Sequence, residues 1–440
     1  MRGLGQFNIL SARAALWTFL VAAVLVPGGC ADPERASETL VLSFGRSSPE
    51  QETLLLELAT RFEAAHPGVR VRIHPLRPEA DFQRALYLRS LTERGELFDV
   101  VELRSEWTAE LAAAGTLATP PEPEAERAPE DAVREAASFR GRMEALPVAV
   151  SLSLLYYRAD LLEKHAIAVP TSLQELADAS LRLSQAEGVS GFVWPGEPGE
   201  DLTCVFLETY RGMGGRVRLL EKGVFLEGQL VRQAVGFLVS LLDSGASPSW
   251  VTGADEAEGR LQFLDGDAAF LRDRDDFLVR ARSGEGRLAA NVGVAVLPGR
   301  TGDRGVSTLD AWHLAVNRSS RNRELAGALA EFLASSESQG LVADRMGRTP
   351  AFRDVPRAAV WQGAAGEVLD AALSAALPRP ASPYYFELSR IIREEVHAAL
   401  RHDKSVDSAS DKLVERVRSV SGAMAGGASS PVLPNPSFLF

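Results

Sequence analysis

Leu40-Val-Leu-Ser-Phe44, Val69-Arg-Val-Arg-Ile73 and Phe98-Asp-Val-Val-Glu-Leu103 are short runs with the length of β-strands, and in the second run apolar residues alternate with arginines. Apolar residues recur at every fourth position from 54 to 62, which predicts a helix between the first two runs. A second helix, at about Asp81–Gly95, precedes the third run. Strands that alternate with helices predict a parallel sheet with right-handed crossovers. Because ligands bind beyond the carboxyl ends of such strands, the loops after Phe44 and Leu103 are expected to face a site.

The rest of the chain continues with elements of the same kind. Leu146–Tyr157 is mostly apolar and strand-like, and helical spacing over Leu161–Ser184 is interrupted at Val169-Pro170. Further helices are expected at about 231–242, 323–333, 385–401 and 408–420. The Pro- and Glu-rich segment Thr119–Asp131 is expected to be exposed. The tail at 421–440 is rich in Gly, Ser and Pro and is expected to be disordered.

The N-terminus has the pattern of an export signal. Basic residues precede an apolar run at 14–26, which is too short to span a bilayer comfortably and ends at Pro27-Gly-Gly-Cys30. This pattern predicts a signal peptide over 1–29, lipidation at Cys30 and a lipidated tether over 30–37. The protein would then lie outside the cytoplasm, anchored by lipid on the periplasmic or cell-surface side. Pro27 stands where an aliphatic residue is usual, so a cleaved signal without lipid, or an uncleaved anchor, is the alternative.

Composition excludes some classes of function. The 440 residues carry a net charge of −12, which argues against nucleic-acid binding because phosphate contacts need a basic face. Cys204 lies in an apolar stretch and is expected to be a buried core residue rather than a nucleophile. No histidine pair has helical metal spacing, and the sequence has no Cys-x-x-Cys and no Gly-x-Ser-x-Gly. We therefore predict no metal, no cofactor and no catalytic residue, although spacing alone leaves a glycosidase carboxylate pair open.

Several stretches share their order and spacing with one known family: Phe62–Val71, Phe98–Leu117, Leu154–Pro170, Gly191–Gly215, Val292–Trp312 and Pro378–Tyr385. On these residues the chain resembles the extracellular solute-binding proteins (family 1) of ABC sugar importers, most like the maltose/trehalose-binding type. The resemblance implies an α/β, two-lobed periplasmic-binding-protein-like fold (type II) with a ligand cleft between the lobes. It implies one lobe over 38–148 and 308–355, and a second over 149–307 and 356–420.

The resemblance also implies a function. The chain would be an extracytoplasmic substrate-binding lipoprotein of an ABC importer, a monomer that captures a carbohydrate or carbohydrate-like solute and delivers it to permease subunits. The sequence has no phosphate-cradling Gly-x-x-x-x-Gly-Lys loop, so the ATPase would be a separate subunit. A non-transporting periplasmic sensor or binding module with a diverged ligand site is the alternative.

Four candidate site residues match positions of the family. Trp312 stands where the family presents an aromatic platform to the sugar, and Glu200 matches an acidic residue ahead of Leu202-Thr-Cys204. Arg379 matches an arginine at the family's cleft. Trp107 follows the third strand, where packing in the core is the better interpretation.

Other positions depart from the family. Arg104 replaces a sugar-binding aspartate, Arg274 replaces a tryptophan, and Asp310 belongs to a pair that replaces two glycines before the aromatic platform. Arginine binds carboxylates and phosphates bidentately, so these changes suggest an acidic or phosphorylated sugar, or a smaller solute. The alternative is that the arginines point to solvent, or pair with neighbouring carboxylates, namely Glu102, Asp273 or Asp275.

Overall fold

A computed structural model describes residues 38–420 of the chain, apart from 46–47, 78, 93–96, 122–129, 221–222, 284–287, 289 and 303–304. The predicted signal peptide, the lipidation site at Cys30 and the C-terminal tail lie outside the described residues.

Fifteen β-strands are found in the described part of the chain. In chain order they are β1 (Glu38–Gly45), β2 (Val69–Leu76), β3 (Val100–Arg104), β4 (Leu117–Ala118), β5 (Ser138–Phe139), β6 (Arg142–Met143), β7 (Leu146–Arg158), β8 (Ser190–Val193), β9 (Arg218–Leu220), β10 (Gly223–Phe225), β11 (Ala268–Arg274), β12 (Val292–Ala295), β13 (Thr308–Asn317), β14 (Thr349–Pro350) and β15 (Leu377–Pro378).

The helices expected from the periodicity of the sequence are present, and several further helices were not predicted. Within the described residues they are α1 (Pro49–Ala65), α2 (Ala80–Thr92), α3 (Ser105–Ala113), α4 (Asp131–Ala136), α5 (Ala159–Lys164), α6 (Leu173–Glu187), α7 (Glu200–Gly212), α8 (Gly228–Asp243), α9 (Glu256–Asp265), α10 (Asp276–Ser283), α11 (Arg323–Leu333), α12 (Ser336–Met346), α13 (Ala364–Ala375), α14 (Tyr385–Leu400) and α15 (Val406–Ser419).

The first three strands form the parallel arrangement that the sequence predicts. β1 lies between β2 and β3 and is parallel to both. Along β2, buried and exposed side chains alternate. Val69 and Val71 are buried, while Arg70 and Arg72 are exposed. α1 begins at the cap residue Ser48, whose hydroxyl accepts from a backbone N–H of the first turn.

Strand β7 connects two parts of the molecule. Its residues 146–152 pair with β13, which joins it to β3 and the parallel strands, whereas residues 153–158 pair with β11 and β12. The central sheet therefore runs in the order β2-β1-β3-β13-β7-β11-β8. A register shift between Trp312 and His313 marks a bulge on the β13–β7 ladder.

The hydrophobic cores divide in the same way. α1 and α11 cover one face of the first strands, where Leu58 and Phe62 are buried, and α2 and α3 cover the other face, where Tyr87 is buried. A separate, larger core holds the helices and strands that follow β7, including Phe270 and Ile392. We call the part built on β1–β3 the first lobe, and the part built on β8, β11 and β12 the second lobe.

Local capping explains where the second lobe's first long helix begins and ends. The helical spacing breaks at Val169-Pro170, as predicted, and α6 starts after Ser172 in a capping box with Glu175. It ends at Gly188, whose φ of 71° lies in the left-handed region that favours glycine.

Within the described residues, no helix combines the length and the apolar character needed to cross a bilayer.

Candidate functional site

A cleft of about 550 Å³ opens between the two lobes. The first lobe contributes Ser48 and Glu50 from the start of α1 and Arg104 from the end of β3, which confirms that the loops after the first and third strands face a site. The second lobe contributes Asp201 from the first turn of α7 and Arg274 from the end of β11. Polar residues of both lobes therefore meet across one space.

Trp312 lies on the first-lobe wall of this cleft. Its cross-strand partners are Arg104 on β3 and Ala149 on β7. The guanidinium carbon of Arg348 lies 4.5 Å from the centre of its ring, and Arg348 also pairs with Glu102 at 3.5 Å. The predicted aromatic platform is thus in the cleft, with a guanidinium over the indole.

Arg274 is the centre of a carboxylate cluster at the end of β11. It donates to Asp201 at 2.8 Å and to Glu256 at 2.9 Å, and it also donates to Asp310. None of these partners is among the three carboxylates proposed from the sequence, so that pairing was wrong. Three partners come from α7, α9 and β13, which lie far apart in the chain and meet only in the fold.

In the cluster around Arg274, the pKa values of two carboxyl groups are shifted in opposite directions. Burial would raise the pKa of Asp201, but the charges of Arg274 and Arg272 outweigh it and hold that pKa at about 2. Burial raises the pKa of Glu256 to about 7, although Arg274 opposes the shift. At neutral pH the Asp201 carboxylate is therefore charged, while the Glu256 carboxyl is partly protonated.

Arg379 forms a second buried cluster behind the cleft. It donates to Glu106 at 2.7 Å, to Glu200 at 3.2 Å and also to Asp310. Glu200 in turn accepts from the hydroxyl of Tyr385 and from Ser389, the latter at 2.6 Å. Arg379 is 3% exposed, so this predicted site residue joins α3, α7 and β13 rather than lining the open cleft.

Trp107 is 5% exposed and packs edge-on against Tyr87 at 6.2 Å between ring centres. This agrees with the packing interpretation. It also borders a small cavity of about 50 Å³ together with Arg104, Glu106 and Glu200.

Arg104 is paired less closely than the other predicted arginines. Its side chain is 34% exposed, and the Glu106 oxygen with which it pairs lies 3.9 Å away. Of the arginines proposed from the sequence, Arg104 therefore has the weakest partner in the described part of the chain.

Asp275 is a buried carboxyl group held by hydroxyls and a backbone amide. It accepts from Ser151 at 2.6 Å, from the amide of Leu152 at 3.0 Å, and from Thr349. Burial raises its pKa to about 6. Because Ser151 and Leu152 lie where β7 passes between the lobes, Asp275 fixes the position of that crossing.

Sequence reasoning did not single out Asp201, Glu256 or Arg348 as site residues. Asp201 follows β8 at the start of a helix, and the rule that sites form beyond strand ends could have found it. Neither Glu256 nor Arg348 follows the end of a strand, so the same rule could not have found them. Only the tertiary fold brings them to the cleft.

The described residues give no structural indication of a metal centre or a reactive thiol. No group of three His, Cys, Asp or Glu among them could hold a metal ion. Cys204 is 1% exposed, as predicted, and burial raises the pKa of its thiol well above the ordinary value.

The cleft between two α/β lobes defines a class of ligand-binding protein. A sequence model described as bacterial extracellular solute-binding protein matches residues 47–340 of this chain. The match covers more than half of the chain, and the chain belongs to this family.

Known proteins agree with this assignment. A probable ABC transporter-binding protein of Deinococcus radiodurans is 28% identical over 284 residues, covering 63% of this chain and 67% of the relative. A mannitol-binding protein of Pseudomonas aeruginosa is 27% identical over 300 residues, covering 66% of this chain and 68% of the relative. The maltose-bound structure of T. maritima MalE3 is 29% identical, with a TM-score of 0.73 over 86% of this chain and 99% of that chain. The fold is the two-lobed one that the resemblance implied.

Proposed function

We propose that the protein is the extracytoplasmic substrate-binding component of an ABC importer, which captures a carbohydrate or polyol between its lobes and delivers it to a membrane permease. The observation that carries this proposal is the cleft of about 550 Å³, into which Trp312 and charged residues of both lobes project. Relatives named for binding a transporter, mannitol or maltose support the ligand class.

The chemistry of the cleft suits a polyhydroxylated ligand. Carboxylates such as Asp201 accept hydrogen bonds from ligand hydroxyls, and guanidinium groups donate to ligand oxygens. In a closed cleft, water is excluded and each of these hydrogen bonds discriminates more strongly against a mismatched ligand. A ligand that contacts both lobes favours the closed arrangement by its difference in affinity for the two states. On this proposal the protein binds its ligand without altering it.

The lobes are proposed to be built from residues 38–148 and 308–355, and from 149–307 and 356–420. Support comes from β7, where pairing changes from β13 to β11 between Leu152 and Ser153. Ala351 and Phe352 pack in the core of the second lobe. The chain therefore returns to the second lobe a few residues before the proposed boundary at residue 355.

We also propose that Cys30 carries a lipid that holds the mature protein at the outer side of a membrane. The support is the sequence pattern at 14–30. Cells fed an alkyne-tagged fatty acid would label the wild-type protein and not a Cys30→Ser variant. Equal labelling of both proteins would contradict the proposal.

A thermal-shift screen tests the binding proposal. A ligand that binds only the folded state raises the melting temperature. At one hundred times its Kd it adds about 2.7 kcal/mol to the free energy of unfolding. We expect at least one sugar, polyol or sugar acid in a broad panel to do so, and the same compound to be recovered chemically unchanged. A panel in which no compound shifts the melting temperature would contradict the proposal.

A further inference from the structure

Two guanidinium groups flank the aromatic ring in the cleft. Arg104 is the cross-strand partner of Trp312, a register at which Cβ atoms lie about 4.5–5.5 Å apart. Arg348 reaches the same ring from beyond α12, with its guanidinium carbon 4.5 Å from the ring centre. All three side chains line the cleft. We refer to Trp312, Arg104 and Arg348 as the arginine–tryptophan cluster.

The position of Arg348 changes what the aromatic ring can offer. A neutral pyranose binds a tryptophan through its apolar face, and that requires an open face of the ring. Here a guanidinium lies over the indole, stabilised by the ring quadrupole and by its ion pair with Glu102. A neutral sugar would have to displace a charged group from the ring, whereas an anion would gain from that group.

Arg104 provides a second positive charge, and the ion pair given for it among the described residues is long. Its pair with Glu106 is 3.9 Å long, and Glu106 is closer to Arg379, at 2.7 Å. Arg274, in contrast, has carboxylate partners at 2.8 and 2.9 Å, and Asp310 in addition. An incoming anion can therefore recruit Arg104 without separating a short ion pair.

We propose that the arginine–tryptophan cluster binds the anionic group of the ligand, a carboxylate or phosphate, so that the captured solute is a sugar acid or sugar phosphate rather than a neutral sugar. This inference rests on the proposed function and specifies its ligand class. Arg104 and Arg348 donate to the anion's oxygens. Asp201 and Glu256, on the second-lobe wall, accept from the sugar hydroxyls.

Calorimetric titration of the purified protein with matched pairs of ligands tests this inference. The pairs are D-glucuronate against D-glucose, D-galacturonate against D-galactose, and glucose 6-phosphate against glucose. We expect the anionic member of at least one pair to bind about 10- to 100-fold more tightly, the ratio that charge-assisted hydrogen bonds supply. The uronate and phosphate arms identify which anion the cluster prefers.

Variants connect the preference to the cluster. Arg104→Gln should weaken binding of the anionic ligand about tenfold or more, and it should weaken binding of the neutral partner much less. Arg348→Gln should weaken the anionic ligand and strengthen the neutral sugar, because the ring becomes available for stacking. Arg70→Gln, an exposed arginine of β2 paired with Glu63, is the matched control and should change neither affinity.

The titrations and variants distinguish failure of the anion preference from failure of the proposed function. Neutral sugars that bind as tightly as their anionic partners, or variants that weaken both alike, would overturn the anion preference and leave the proposed function standing. Failure of every sugar, polyol, sugar acid and sugar phosphate to bind would overturn the proposed function as well. If Arg104→Gln does not fold by circular dichroism, the wild-type salt dependence decides, since anion affinity must fall with added salt and neutral-sugar affinity must not.

Discussion

Arg274 and Arg104 face the same cleft and differ in what surrounds them. Arg274 is 14% exposed in its side chain and is held by Asp201, Glu256 and Asp310. Arg104 is 34% exposed and has one carboxylate at 3.9 Å. Their sequence surroundings also differ, since Arg274 lies in the charged run Arg272-Asp-Arg-Asp-Asp276 and Arg104 does not lie in such a run.

An arginine in a cleft is therefore available to a ligand only when the fold gives it no close carboxylate partner. The charge of Arg274 is used to hold α7, α9 and β13 together, so it acts within the second-lobe wall. Arg104 has Trp312 and Arg348 beside it on the first-lobe wall. On the first-lobe wall Arg104 therefore lacks a close carboxylate partner, whereas on the second-lobe wall the charge of Arg274 is compensated by the carboxylates around it.

Removing the paired arginine should have the largest effect. Arg274→Gln leaves buried carboxylates without their cation, and we expect the free energy of unfolding to fall by about 3–5 kcal/mol. Arg104→Gln, the matched change on the opposite wall, should lower it by less than about 1 kcal/mol. Urea denaturation of both variants measures the contrast, and equal losses would contradict the distinction between the two walls.

The next effect concerns Asp275, a cleft carboxyl that accepts hydrogen bonds from hydroxyls and a backbone amide instead of pairing with an arginine. Burial raises its pKa from 3.8 to about 6, so between these values the folded state holds a proton that the unfolded state has lost. Stability from this group is present below pH 3.8 and is lost as the pH rises through 6. Two pKa units correspond to about 3 kcal/mol.

Asp275→Asn removes this titration while keeping the geometry. The amide oxygen can accept from Ser151 and from the backbone amide, and the amide nitrogen can donate to Thr349. Urea denaturation between pH 4 and 7 should therefore show the variant gaining stability relative to the wild type by up to about 3 kcal/mol as the pH rises. A constant difference across this window would contradict the raised pKa.

The smallest effect on the free energy of unfolding is expected for an exposed arginine, which separates the contribution of burial from that of pairing distance. Arg390 pairs with Glu387 and Glu394 at 2.5 Å each, closer than Arg274 lies to Asp201 and Glu256 at 2.8 and 2.9 Å, but its side chain is 38% exposed. Because exposed ion pairs contribute little, Arg390→Ala should change the free energy of unfolding by no more than about 1 kcal/mol. Loss of several kcal/mol here would show that pairing distance, rather than burial, governs these clusters.

The sequence was sufficient for most of the fold. Fourth-residue spacing in α1 and alternation in β2 place each side chain on a buried or exposed face, so these elements could be predicted locally. The break at Val169-Pro170 and the positions of α11 and α14 were likewise confirmed. The shared strand β7 was found as a strand, but its change of partner at residue 152 depends on contacts distant in sequence.

The site was predictable only in part. Trp312 and Arg104 were proposed from the sequence and lie in the cleft, since strand ends and family positions mark them. The partners of Arg274 were predicted wrongly because near neighbours in sequence, such as Asp273 and Asp275, turn to other donors, Arg260 and Ser151. Arg348 carries no local signal, and its role follows from tertiary packing against the indole.

A paired calorimetric titration tests most directly whether the solute binds in the cleft beside Trp312. The ligand is the panel compound that raises the melting temperature most, and the proteins are wild type, Trp312→Phe and Trp312→Ala. We predict a stoichiometry of one, an affinity reduced about tenfold or more in Trp312→Ala, and a smaller reduction in Trp312→Phe, which keeps an aromatic ring beneath the Arg348 guanidinium. An unchanged affinity in a folded Trp312→Ala variant would contradict the account.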